Sequence, residues 1–142
     1  MTRYMLLMIP LLLSGCWESE LITIQLADVR ISVELAATVD SRHQGLMHRE
    51  SLGRDRGMLM VFPKAKLQKM WMLNTRIPLD VGFFDADGVL LNMATMIPDG
   101  GKEIHGSSAP ALYALEMNSG WYARNKIMVG ARLSLPQGIV GR

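Results

Sequence analysis

The strongest constraint on the fold is the spacing of the interruptions in the chain. From Leu21 onward, proline, glycine and polar clusters cut the sequence into apolar runs about one strand long at intervals of roughly ten residues, leaving no interval for a sustained helical period. Leu21 to Leu26 and Ile31 to Ala36 alternate as half-buried strands do, with Asp28 between them, and predict an opening hairpin. Asp40 to Arg49 loses that period of two. Asp40 or Ser41 can cap a short helix there, and Gly45 weakens or ends it. Gly57 to Phe62 is apolar throughout and meets Pro63, the pattern of a strand buried on both faces and then stopped. Ala111 to Met117 and Ala131 to Leu135 predict later strands, and Trp121 to Lys126 a second short helix or turn. About seven or eight short strands with one or two short helices predict a mainly β domain, a sandwich or closed barrel rather than βαβ units.

The stretch Met70 to Gly88 carries the most local information. Met70 to Leu73 and Leu79 to Phe84 each read as a strand, and Trp71, Met72, Val81 and Phe83 as core. Between them Asn74, Thr75 and Arg76 are polar, and Pro78 cannot donate to a ladder, so the chain must bend and expose these side chains. Asp87-Gly88 then predicts a tight turn into Val89 to Ile97.

The 142 residues suffice for one core but not two, and 49% hydrophobic with 20% charged residues describes a globular chain. A formal charge of +2, with no Lys/Arg run interleaved with aromatics, argues against a nucleic-acid partner. Arg3, the apolar stretch Tyr4 to Leu13 and the small residues Ser14-Gly15 before Cys16 have the organisation of an export signal too short to span a bilayer. Leu13-Ser14-Gly15-Cys16 resembles the lipobox of bacterial lipoproteins in full, and Cys16 is the only cysteine. That resemblance implies a leader at 1–15, acyl chains on Cys16, a tether at 16–20 and a domain at 21–142. It also implies a cell-envelope location, the outer membrane facing the periplasm in a Gram-negative source, because Trp17 is not the inner-membrane retention aspartate. With Cys16 acylated the domain has no thiol for a disulfide, a nucleophile or a metal.

Five collinear motifs carry a second resemblance. Arg42-x-x-Gly45-Leu46-Met47-x-Arg49, Gly57-Met58-Leu59-x-Val61-Phe62, Trp71-Met72-x-Asn74-Thr75-x-Ile77-Pro78-Leu79-Asp80, Asp85-x-x-Gly88 and Pro110-Ala111-x-Tyr113-x-Leu115-Glu116-x-Asn118-x-Gly120-Trp121 are similar to the DUF192 (UPF0127) family. The resemblance runs from about Leu21 to Leu135. It implies a compact, jelly-roll-like or barrel β domain, often exported, and no established reaction. Many relatives place cysteines in the loop matched by Asp99 to Ser108, where this chain has none, and Ala131 stands where a carboxylate is common.

Two carboxylates point to a site. Asp80 enters an apolar strand and Glu116 stands within one, and each must be paired or hydrogen-bonded if buried. Arg42, Arg49 and Arg76 are the available partners. One expectation is that Arg42, Asn74, Thr75, Arg76, Asp80 and Glu116 gather at a groove for a small polar ligand or an envelope partner; the alternative is that they form structural ion pairs. A rival reading is a small hydrolase using Asp80 and Glu116 as acid and base. Met58 with Met60, and Met70 with Met72, have strand spacing that suits Cu(I), but the same residues pack cores. Asp85-x-Asp87-Gly88 lacks the remaining ligands of a calcium loop, and His43, His48 and His105 have no metal-ligand spacing. The sequence therefore implies no catalytic residue, no metal site and no cofactor.

Overall fold

The computed structural model describes residues 20–142, so the leader, Cys16 and all but the last residue of the tether lie outside the described residues. β1 (Leu21–Leu26) and β2 (Val29–Ala36) form the expected hairpin, with Leu21 opposite Glu34 and Leu26 opposite Val29. α1 (Val39–Gln44) follows, then β3 (Arg56–Lys66) and the two-residue β4 (Lys69–Met70). β5 (Leu79–Phe84) and β6 (Leu90–Met96) make the hairpin that Asp87-Gly88 predicts. β7 (His105–Gly106), β8 (Ala111–Asn118), α2 (Trp121–Arg124) and β9 (Leu133–Ser134) complete the chain.

Seven strands share one sheet in the order β6-β5-β8-β3-β2-β1-β9, and β4 pairs with β7 in a separate ribbon. The large sheet curls into a half-barrel whose edges meet at one corner. Val89 bridges Arg132 there, and the Leu133 N–H donates to the Gly88 carbonyl at 2.8 Å. The domain is mainly β with two short helices, as the spacing predicts. One connection departs from expectation: β2 and β3 run parallel, which requires the crossover that carries α1.

The curl gives the sheet two apolar faces. Ile24, Val33, Leu59, Phe84, Leu115 and Met117 pack with Trp121 and Tyr122 on one side. Ala36, Met58, Met60, Val81, Phe83 and Ala114 pack under Leu46, Met70, Met72 and Ile77 on the other. All six residues of β5 are consequently buried, and fully burying each of Phe83 and Phe84 contributes about 2–3 kcal/mol. Gly82 makes this possible, because a Cβ there would lie 2.5 Å from the Tyr122 hydroxyl.

Three local expectations are corrected. The apolar run Met70 to Leu73 is not a strand: only Lys69–Met70 pairs, and the chain then turns, with the Thr75 N–H donating to the Met72 carbonyl at 3.2 Å and Asn74 at φ 51°. Met72 is buried, but Trp71 is 46% exposed rather than core, because the run ends its pairing at Met70 and its two sides separate. The N-cap of α1 is Thr38 instead of Asp40 or Ser41; its hydroxyl accepts from the Ser41 N–H at 3.1 Å, and the Ser41 hydroxyl accepts from the Thr38 N–H at 2.9 Å. β3 also continues past Pro63 to Lys66; its pairing with β8 is irregular between Val61 and Lys66, and such an irregularity tolerates a residue without an N–H.

Candidate functional site

The second face of the sheet is incompletely covered, and the gap is a groove of about 340 Å³. One wall is α1 and the loop after it, from Val39, Arg42 and His43 to Gly45 and Met47. The other is the β4 segment and its turn, with Lys69, Met70, Trp71 and Thr75. Met60 and Phe62 of β3 and Glu116 of β8 form the floor. The His48 N–H donates to the Asn74 carbonyl at 2.8 Å and ties the two walls together.

Gly45 holds the first wall close to the floor. It ends α1 at φ 48°, and a Cβ on it would stand 3.3 Å from the Met60 Cε and 4.0 Å from Oε2 of Glu116. The positive φ and this close approach both favour glycine here.

Glu116 is 4% exposed, and its Oε2 is buried with no hydrogen-bond partner. Burial pushes its carboxyl up to about 7. Arg42 lines the same groove without pairing to it. Its Nη1 donates to the carbonyls of Ala37 and Val61 at 2.8 Å each, and its Nη2 donates to the Arg142 carbonyl at 2.9 Å, with the guanidinium over the Phe62 ring. Partial burial lowers the Arg42 pKa, and the carbonyls fix the side chain as a clamp between α1, β3 and the 141–142 segment.

The other arginines are committed elsewhere. Arg49 makes a bidentate pair with Glu34, at 2.5 and 2.6 Å, and that hydrogen bonding raises the Arg49 pKa. Arg76 pairs with Glu50 at 2.5 Å on the surface.

Asp80 is buried but belongs to the opposite face. The register sets Asp80 opposite Met117 and Val81 opposite Glu116, so the two carboxylates project to different sides of the sheet. Oδ1 of Asp80 accepts from the Thr95 hydroxyl at 2.8 Å and Oδ2 from the Gly120 N–H at 2.8 Å, which fixes the turn entering α2. Tyr122 packs beside it, and burial, then the Asp80 charge, push the Tyr122 hydroxyl well above its usual pKa. The acid/base pair imagined for a hydrolase is excluded by this geometry.

Of the six residues expected at the site, Arg42, Thr75 and Glu116 line the groove. Thr75 spends its hydroxyl on the Leu73 carbonyl at 3.1 Å. Asn74 contributes its carbonyl to the loop tie, and Arg76 and Asp80 lie elsewhere. Sequence reasoning missed His43, Gly45, Met47, Lys69 and Trp71 as lining residues; the signal for two of them, Gly45 and Met47, was the Arg42-x-x-Gly45-Leu46-Met47 motif itself. The methionine pairs are split as well. Met60 and Met70 line the groove with Met47 as well as packing in the core, whereas Met58 and Met72 pack in the core alone. Among the described residues, no three His, Cys, Asp or Glu side chains come together as a metal-binding group.

A model of the DUF192 family, described as an uncharacterized ACR, matches residues 22–135. Comparison with curated proteins finds no match. A crystal structure of a "putative transcription regulator" from Sinorhizobium meliloti 1021 superposes with a TM-score of 0.77 at 32% identity, covering 82% of this chain and 95% of that one. A protein of unknown function from Novosphingobium aromaticivorans DSM 12444 gives a TM-score of 0.78 at 29% identity, covering 84% of this chain and 89% of that one.

Proposed function

The chain belongs to the DUF192 family, and we propose that this member is a membrane-tethered envelope domain that binds a small polar ligand without transforming it. The observation that carries the binding reading is the unpartnered, buried Oε2 of Glu116 beside a groove of molecular size. A buried carboxylate oxygen without a donor costs about 1–3 kcal/mol or more, and a ligand that donates to it recovers that energy. The acid proposed as the hydrolytic partner of Glu116, Asp80, does not share the groove, since it lies across the sheet. The transcription role in the name of the Sinorhizobium protein is not carried over, because a formal charge of +2 gives little attraction for a polyanion.

The tether reading rests on Leu13-Ser14-Gly15-Cys16, with acyl chains on Cys16 inserted in the membrane. Two or three chains anchor a protein where one alone binds only marginally. Labelling cells with radioactive palmitate tests it: the wild-type chain is expected to carry label in the membrane fraction, and C16S to carry none. Unlabelled wild-type protein rules the anchor out. For the groove, calorimetry on the full chain in detergent against ethanolamine, glycerol and acetate is expected to detect at least one ligand whose heat vanishes in E116Q. Silence from every compound, or binding indifferent to E116Q, defeats the reading.

A further inference from the structure

Resting on that binding reading, we propose that the groove takes a ligand carrying a primary ammonium joined to an anionic group, a phosphate or a carboxylate, with the ammonium on Glu116 and the anion at the basic rim. The floor holds a carboxyl and the rim a lysine, and neither has an ion-pair partner among the described residues. Glu116 has no cation beside it: Arg42 is held by three carbonyls, Arg49 by Glu34 and Arg76 by Glu50. Its carboxyl stands high from burial alone, with no positive neighbour drawing it down. The missing cation must therefore come with the ligand.

The type of cation follows from the orphaned oxygen. Oε2 lacks a hydrogen-bond donor, not merely a counter-charge, and a primary ammonium supplies three N–H donors whereas a trimethylated one supplies none. At the rim, His43 and Lys69 are exposed, line the groove, and take part in no ion pair. They can receive an anion a few bonds away from the ammonium. Between floor and rim, Met47 and Met70 offer polarisable thioethers that accept a short aliphatic link of variable shape.

The same headgroup chemistry occurs free in solution and on phosphatidylethanolamine, and a domain tethered at 16–20 would meet both. Titrating the full chain in detergent with O-phosphoethanolamine, ethanolamine, phosphocholine, inorganic phosphate and glycerol separates the alternatives. Phosphoethanolamine is expected to bind at least tenfold more tightly than phosphocholine or inorganic phosphate, and to lose at least tenfold in E116Q. K69A, at an exposed side chain, is expected to reduce phosphoethanolamine affinity toward that of ethanolamine. Equal binding of phosphocholine, or indifference to both substitutions, overturns the proposal. Glu116-dependent binding of glycerol alone overturns it too, but leaves the groove as a ligand site; no binding of any compound removes both. In phosphatidylcholine vesicles, competition by added phosphatidylethanolamine identifies the lipid as the source, and absence of competition identifies the free molecule; either supports the proposed chemistry.

Discussion

Asp80 and Glu116 are two buried carboxylates on neighbouring strands of one sheet, and they have opposite standing. Asp80 is closed on itself by the Thr95 hydroxyl and the Gly120 N–H, in the packed face that holds Trp121 and Tyr122. Glu116 faces the other side, where the cover formed by α1 and the β4 segment leaves a groove, and one of its oxygens meets nothing. Burial alone therefore does not mark a functional acid. What distinguishes the two is whether the fold itself supplies the donors: it does for Asp80, which also holds the turn into α2, and does not for Oε2 of Glu116.

The largest effect expected from this contrast is at Asp80. In D80A the half-buried Gly120 N–H and the exposed Thr95 hydroxyl lose a carboxylate acceptor, at about 1.5–3 kcal/mol each, so a loss of about 4 kcal/mol is expected in urea unfolding. A loss below about 1 kcal/mol would show that Asp80 does not hold the turn into α2.

Glu116 reports through pH. Its carboxyl binds a proton more tightly in the fold than in the unfolded chain, so its contribution is full at low pH and is lost as pH rises from the ordinary glutamate value of 4.5 to about 7. The expected loss over that window is about 3 kcal/mol, at about 1.36 kcal/mol per pH unit. Subtracting the stability–pH curve of E116Q from that of the wild type isolates this slope. A flat difference means that Glu116 ionises as an ordinary surface acid, and the contrast with Asp80 collapses.

How far the sequence shows these features depends on whether they are local. The hairpins β1–β2 and β5–β6 were legible because alternation and the Asp87-Gly88 turn act over a few residues. The Met70 to Leu73 error has the same origin: four apolar residues satisfy a strand pattern, but nothing local says that pairing with β7 lasts for two residues only. Asp80 and Glu116 stand out in the sequence as acids in apolar runs, and both are buried. Their faces were not legible, because β5 and β8 are distant in sequence, and slipping their register by one residue would put both acids on the same side. The partners failed for a similar reason: three arginines were available, and the parallel crossover that brings Arg49 to Glu34 and Arg42 to the Val61 carbonyl is a long-range feature.

The smallest expected effect serves as the control. Arg76 was expected at the site from its place between two apolar runs, yet it pairs only with Glu50, and the two side chains are 60% and 80% exposed. Such a pair is screened by water and salt and contributes about 0–1 kcal/mol, so R76A is expected to unfold within about 0.5 kcal/mol of the wild type. It should also bind phosphoethanolamine as the wild type does, because Arg76 is not among the residues lining the groove. A tenfold loss of affinity in R76A with unchanged stability would show that the 74–76 turn swings over the groove when ligand binds. The anion would then sit on Arg76 rather than on Lys69 and His43, and the polar interruption before β5 would become part of the site it otherwise only borders.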